Sequence, residues 1–308
     1  MIIVFGSSVL DLFFHIADFP SADQACHLET HSEAAGGKGA NQAVAAAKAG
    51  ANVYFYGAMG KKSNNSLILE SMHQHEINAQ GIHYLPDHPS GLATIFINNI
   101  DGTHRIVVSQ GANLHAKQSW IEDRHLTPDS FILVQGELPL NETEILIQRA
   151  AQRKACTILN FAPAHQIISS KTLEALNIAV VNEYEADALG KQLNISSSDK
   201  SHFARELFRQ FDLITIVTLG PNGSICCSKE GLIAISSLNI QAIDTTGAGD
   251  AFMGYFVAAL DAKKSLQDSL IDATIAGALT CTQIGAQSAL PDSKDILSNR
   301  KQIKIKYL

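Results

Sequence analysis

With 308 residues, 46% of them hydrophobic and 17% charged, the chain has apolar material for one large domain or two ordinary ones, which excludes a largely disordered protein. A net charge of −7 with no long run of Lys or Arg excludes a protein that grips extended nucleic acid, because phosphate contacts demand a basic face. No apolar stretch runs long enough to span a bilayer, and the five scattered cysteines fit neither a zinc site nor a disulfide framework, so a soluble protein in a reducing, cytoplasmic setting is expected.

Met1–Phe14 is apolar but lacks a basic leader and is interrupted by Gly6, Ser7, Ser8 and Asp11, so it reads as a buried opening strand rather than an export signal. Strands are expected at Ile2–Phe5, Ala51–Tyr56, Phe131–Gln135, Thr157–Asn160, Ile178–Val181 and Ile214–Thr218. Helices are expected at Ala40–Ala49, Ser66–His75, Glu142–Gln152, from Glu183, near Phe203–Arg209, and at Ala248–Leu260 and Leu266–Gln283, before a loop at Gly285–Pro291. This alternation predicts an α/β domain with a mostly parallel sheet covered on both faces. Two stretches break it. Leu12–Ala34 reads as extended segments around a turn at Pro20–Asp23, and Ala93–Asn98 with His104–Ser109 reads as a hairpin about Asp101-Gly102. Residues 12–35 and 92–110 are therefore expected to form a small β lid within a single 308-residue domain, ordinary edge strands being the alternative. The polar patch Ser196–Lys200 and the last few residues are the places where disorder is expected.

Asp244-Thr-Thr-Gly-Ala-Gly-Asp250 precedes a segment of helical spacing in which Phe252, Phe256 and Ala259 share a face. A Gly-Ala-Gly turn at a helix start leaves N–H groups unpaired, and the helix dipole makes them an anion cradle. Asp250, in the first turn, is the candidate base for an acceptor hydroxyl that attacks a phosphoryl group held in that cradle. The segment is neither a Walker A loop nor a dinucleotide fingerprint, and alone it equally describes a capped helix after a flexible loop. A second cluster, Gly36-Gly-Lys-Gly-Ala-Asn-Gln42, opens the first helix and reads as a phosphate loop, a sugar-binding loop or a hinge.

Together, Ala35-Gly-Gly-Lys-Gly-Ala-Asn-Gln-Ala43 and Asp244-Thr-Thr-Gly-Ala-Gly-Asp-Ala-Phe252 resemble the two signatures of the ribokinase-like, or PfkB, family of carbohydrate kinases. Asn182-Glu-Tyr-Glu185, Val217-Thr-Leu-Gly220, Ser109-Gln-Gly-Ala-Asn113, Asn160-Phe-Ala-Pro-Ala164 and Gly285-Ala-Gln287 extend the resemblance from Ile3 to about Pro291. It implies a three-layer α/β sandwich with a β lid, and transfer of the ATP γ-phosphate to a primary hydroxyl of a sugar, D-ribose giving ribose 5-phosphate first among them. A nucleoside, fructose or a sugar phosphate is the alternative acceptor, and a non-catalytic sugar- or nucleotide-binding protein the other class.

The resemblance implies that Asp250 is the base and that the N–H groups of Gly247, Ala248, Gly249 and Asp250 form the anion hole. Asp11, Gly37, Lys38, Asn41 and Glu137 would bind the sugar, and Asn182, Thr218, Gly220 and Gly249 the nucleotide. Glu185, with Asn182, would position Mg2+ through water. Asp244, Thr246 and Gly285 would hold a monovalent cation, K+ by analogy, although Ala289 stands where a serine oxygen is common. Two departures touch the substrate side: Val9 replaces an amide in the first strand's pattern, and Gly60-Lys61-Lys62 replaces an acidic turn, leaving Ser63 or Asn64 to cap the next helix. Asp11 and Glu137 otherwise read as surface charge, and Phe13 or Phe96 as an aromatic slot for a nucleoside. Pairing of lid edges would make a homodimer.

Overall fold

The computed structural model describes residues 1–60, 65–164 and 167–308. Its main sheet has ten strands: β1 (Ile2–Phe5), β4 (Val53–Met59), β5 (Asn78–Tyr84), β8 (Phe131–Gln135), β9 (Cys156–Asn160), β10 (Ile178–Asn182), β11 (Ile214–Thr218), β12 (Ser224–Ser228), β13 (Gly231–Ile235) and β14 (Ile305–Tyr307). Their order is β14-β13-β12-β11-β10-β9-β8-β1-β4-β5. From β11 to β5 every neighbouring pair is parallel, and β12, β13 and β14 add an antiparallel edge.

Alternating side chains divide the core into two layers, as period 2 requires. Ile2, Val4, Phe55, Leu133 and Val180 face α1 (Lys38–Lys48), α2 (Ser66–Gln74), α7 (Ala248–Asp261), α8 (Leu266–Thr280) and α9 (Ser293–Asn299). Ile3, Phe5, Val134, Leu159 and Val181 face α3 (Leu140–Gln152), α4 (Ser170–Ala175), α5 (Glu183–Leu193) and α6 (Lys200–Phe211). Cys226 and Cys227 are neighbours on one strand and so belong to opposite layers.

A separate four-stranded sheet contains β2 (Val9–Ile16), β3 (Thr30–Gly36), β6 (Gly91–Asn98) and β7 (His104–Ser109), in the order β3-β2-β6-β7. The two segments that break the α/β rhythm thus leave the main sheet, as expected, although β2 begins earlier, at Val9. The hairpin turn is closed by the Asn98 carboxamide oxygen, which accepts the Ile100 N–H, and by Asn98 N–H bonded to Thr103 O.

The expected helices and strands are present with ends shifted by a few residues. Three expectations need correction. The chain end is not disordered: Ile305–Tyr307 pairs with Ile233–Ile235, because β13 offers an open edge. Ser196–Lys200 is held too, since Asp199 caps α6 and both Ser197 Oγ and Lys200 Nζ bind Asp187. α8 stops at Thr280 rather than Gln283. The altered turn at Lys61-Lys62 and the proposed Ser63 or Asn64 cap lie outside the described residues; the N-cap position itself is Asn65.

The close approach of α1 and α7 is a matter of small residues. A β-carbon on Gly254 would lie 2.4 Å from Ala45 Cβ and 2.6 Å from Ala46 N. Only glycine against an alanine-rich face lets the two helices come this near, and that brings the starts of both helices to one place.

Candidate active site

Phe5, Gln135, Asn160, Asn182 and Thr218 end parallel strands in register with their neighbours, so all lie at the carboxyl edge of the sheet. Open α/β sheets bind ligands in the crevice outside that edge. The residues predicted from sequence collect there: Glu137 follows β8, Asn182 ends β10, Thr218 ends β11, and α1 and α7 start beside β1.

Gly247 caps α7 with φ 77, a left-handed conformation that glycine adopts without strain, and a β-carbon there would lie 2.7 Å from Ala286. The first helical bond is Ala251 N–H to Gly247 O. Ahead of it, Ala248 N–H turns back to Thr245 O at 3.3 Å, whereas Gly249 and Asp250 stand in the first turn, where no helical carbonyl is available to them. A β-carbon at Gly249 would meet nothing within 4 Å, so this face of the turn is open.

Asp250 is the third residue of α7 and is 8% exposed. Its Oδ2 accepts Asn41 Nδ2 at 3.1 Å and its Oδ1 accepts Gln42 Nε2 at 2.9 Å, both donors coming from α1. The base proposed from sequence is therefore in the crevice and fixed by two amides.

Glu137 is half-buried. Its carboxylate accepts the Ser7 hydroxyl and, at 3.0 Å, the Lys38 N–H, while Ser7 Oγ also receives Gly39 N–H at 3.4 Å. Burial first, then the charges of Glu137 and Asp250, push the Asp11 carboxyl up to about 7. Neither acid is ordinary surface charge. The negative field of Asp250, helped by Glu137 and Glu185, raises Lys38 above the usual lysine range against the opposing effect of burial. Lys38 is thus the cation at the centre of a group of carboxylates.

Glu185 is buried. It closes a capping box on α5, taking Asn182 N–H at 2.8 Å and Asn182 Nδ2 at 3.0 Å, while Asn182 Oδ1 accepts Glu185 N–H at 2.8 Å. Burial lifts its carboxyl above the usual range, and the Asn182 N–H and Lys38 pull it back. Thr218 Oγ1 donates to Val181 O at 3.4 Å, and Gly220, with φ 54, starts an open turn after β11.

Asp244 accepts Thr246 N–H on one oxygen and Gly285 N–H on the other, each at 2.9 Å, tying the glycine turn to the loop after α8. Burial works to raise this carboxyl, but those N–H groups, the Thr246 hydroxyl and the charge of His104 from β7 prevail and hold it below the usual range. Ala289 is buried and contributes no side-chain oxygen.

Val9 is 4% exposed and pairs with Gly36 and Gly91. Asp11 and Phe13 alternate with Leu10, Leu12 and Phe14, so Phe13 shares the Asp11 face. Phe96 does not: it is in register with Phe14, and their rings lie 5.6 Å apart on the opposite face. Of the two aromatic candidates for a nucleoside slot, only Phe13 remains.

Ser7, Gln42, Gln135, Asn160 and Gln287 join the site without a role assigned from sequence. Their signal is polarity where apolar side chains are expected: Gln135 ends the strand Phe-Ile-Leu-Val-Gln, and Gln42 sits in an alanine-rich helix, both buried.

A model of the pfkB family carbohydrate kinases matches residues 1–293. Ribokinase of Haemophilus influenzae is 32% identical over 297 residues, covering 96% of this chain and 96% of that protein. Ribokinase of Schizosaccharomyces pombe is 30% identical over 308 residues, with the same coverage of 96% and 96%. Ribokinase from Thermotoga maritima superposes with a TM-score of 0.88 at 28% identity, covering 97% of this chain and 99% of that one. Ribokinase from Arabidopsis thaliana complexed with ribose and ATP does so with a TM-score of 0.88 at 26% identity, covering 97% and 98%. These likenesses define a sugar kinase, a phosphotransferase with an alcohol group as acceptor. The chain belongs to the pfkB family of carbohydrate kinases.

Proposed function

We propose that the protein transfers the γ-phosphate of ATP to the primary hydroxyl of D-ribose, giving ribose 5-phosphate. The observation that carries this reading is the Asp250 carboxylate, gripped by Asn41 and Gln42 beside the open first turn of α7. Ribokinases similar over nearly the whole chain supply the choice of sugar.

Asp250 accepts the proton of the attacking hydroxyl and orients its oxygen along the line of transfer. The N–H groups of Gly247, Gly249 and Asp250 disperse charge on the moving phosphoryl group, and Ala248 joins them once its weak turn bond opens. Lys38 adds a positive charge at the same point. Asp11 and Glu137 each accept sugar hydroxyls, and Asn41 and the Gly37 backbone complete the contact; a carboxylate suits a diol because it accepts two hydrogen bonds. Asn182, Thr218 and Gly220 border the nucleotide.

Magnesium, when bound, neutralises phosphate oxygens. Glu185 fits a hold through water, because its buried carboxylate retains lone pairs beyond those used by Asn182. The ionised Asp244, with carbonyls of Thr246 and Gly285, would hold a monovalent cation; both its oxygens already take N–H donors, which leaves a site of low ligand count.

The β3-β2-β6-β7 sheet acts as a lid that excludes water, a competing phosphoryl acceptor, from the crevice. β7 is exposed along its length, with Ile106, Val107 and Val108 uncovered, and pairs with the same sheet of a second copy. A reducing cytoplasm fits five unpaired cysteines.

A panel of sugars and nucleosides with ATP and Mg2+, read by phosphorylated product, tests the proposal. D-ribose is expected to give the highest kcat/KM. Preference for a nucleoside by tenfold or more would move the assignment within the family, and Val9 with Phe13 would be the cause.

A further inference from the structure

The catalytic base is held from behind by a chain of side-chain amides. Gln42 is fully buried, and its Nε2 donates both to Asp250 Oδ1 at 2.9 Å and to Asn160 Oδ1 at 3.0 Å. Its Oε1 accepts Gln135 Nε2 at 2.8 Å. A carboxamide can present either end to a neighbour, and only the NH2 end attracts a carboxylate. Here the choice is made by two further groups. Gln135 occupies the oxygen end with a donor, and Asn160 demands a donor at the nitrogen end. Turning Gln42 over would set Oε1 against two acceptors and leave Gln135 Nε2 facing a second NH2 group.

Both partners that set this orientation end strands of the main sheet, Gln135 on β8 and Asn160 on β9, and are in register. The sheet, through these two amides, fixes an atom of α7. The other carboxylate oxygen has a different support. Asn41 Nδ2 donates to it, Gln287 Nε2 donates to Asn41 Oδ1 at 2.9 Å, and Ser71 Oγ donates to Gln287 Oε1 at 2.6 Å. Asn41 is also a sugar-contact residue in the proposed function, so its grip on Asp250 is exposed to what the substrate does. Gln42 has no such second task.

We infer that Gln42 is a positioning residue for Asp250, and that Gln135 and Asn160 fix the direction in which it acts. A carboxylate has about four lone-pair sites, and the two amides from α1 take two of them. Rotation about the side chain of Asp250 is thereby stopped, and the remaining sites face the attacking hydroxyl. The inference rests on Asp250 being the base, as proposed above.

The test is steady-state kinetics of Gln42→Met with the best acceptor found and ATP, with active enzyme counted by sugar binding. The expected result is a fall in kcat of about 10- to 100-fold, the scale of a misplaced catalytic group, with KM for sugar and ATP changed by less than about threefold. In the Asp250→Asn background, Gln42→Met should cost no more than about twofold, since the group it positions is gone. Gln135→Met, which removes the donor from Gln42 Oε1 and leaves that buried oxygen without its partner, should lower kcat about 3- to 10-fold, again without raising KM. It also keeps the inference testable if Gln42→Met fails to fold. Wild-type kcat in the folded Gln42 or Gln135 variant would overturn the inference. So would a full loss from Gln42→Met on top of Asp250→Asn, or a loss that appears only as fewer active molecules. If Asp250→Asn alone turns over normally, it is the base assignment that fails, whatever the glutamine variants do.

Discussion

Asp11 sits where burial and the fields of Glu137 and Asp250 together favour the neutral acid, at about 7. The ordinary value for this carboxyl is 3.8, so between that value and about 7 the folded state binds more protons than the unfolded chain. Stability then falls as pH rises through this window, the reverse of a salt-bridged aspartate. The thermal midpoint of the ligand-free protein should be higher near about pH 5.5 than near about pH 8, and Asp11→Asn should flatten that difference. Sugar hydroxyls donate to the ionised form, so KM for the sugar should fall as pH is raised through about 7, and lose this dependence in Asp11→Asn. A pH-independent KM in the wild type would remove Asp11 from the sugar contact. The uncovered turn ahead of Asp250 is legible from residue type, because its glycines leave the backbone without side chains at a helix start; its proposed use as a phosphate cradle comes from the resemblance. The amides behind Asp250 are not legible, because Gln42, Gln135 and Asn160 are separated in sequence and meaningful only once β8, β9, α1 and α7 converge.

The helices α1 and α7 carry the site between them, and Gly254 sets their distance. Gly254→Val should force Ala45 and Ala46 away, at a cost of about 1–3 kcal/mol in denaturant unfolding. It should also lower kcat, because Asn41 and Gln42 would recede from Asp250. Unchanged stability with unchanged turnover would show that the helices have slack the packing does not reveal. At this scale the alternation of apolar strands and alanine-rich helices identifies most elements of the main sheet. It misses β5, β13, β14, α4 and α9, which are short or at an edge, where burial is incomplete and the hydrophobic period weak, and also β12, which is buried throughout but whose Ser-Ile-Cys-Cys-Ser gives no strong apolar run. β14 is three residues with two of them exposed, and it is specified by the free edge of β13 rather than by its own sequence. The capping box of Asn182 and Glu185 is visible as a spacing of three residues; that Glu185 is buried beneath the crevice is a tertiary fact.

For the molecule as a whole, the main sheet places strand ends along one crevice, and the separate four-stranded sheet is the lid proposed to close over it. Light scattering should give twice the chain mass, and Val107→Lys on β7 should give one chain mass with a raised KM for the sugar if the paired edge steadies the lid. A wild-type protein at one chain mass at micromolar concentration would contradict the lid-edge dimer while leaving the chemistry intact. The chemistry stands on one carboxylate, and Asp250→Asn, nearly isosteric, probes it most directly. Sugar binding measured calorimetrically should change by less than about threefold, while kcat for phosphorylated product falls about 10²- to 10⁴-fold. Retained turnover in that variant, or turnover and binding lost together, would contradict the assignment of Asp250 as the base.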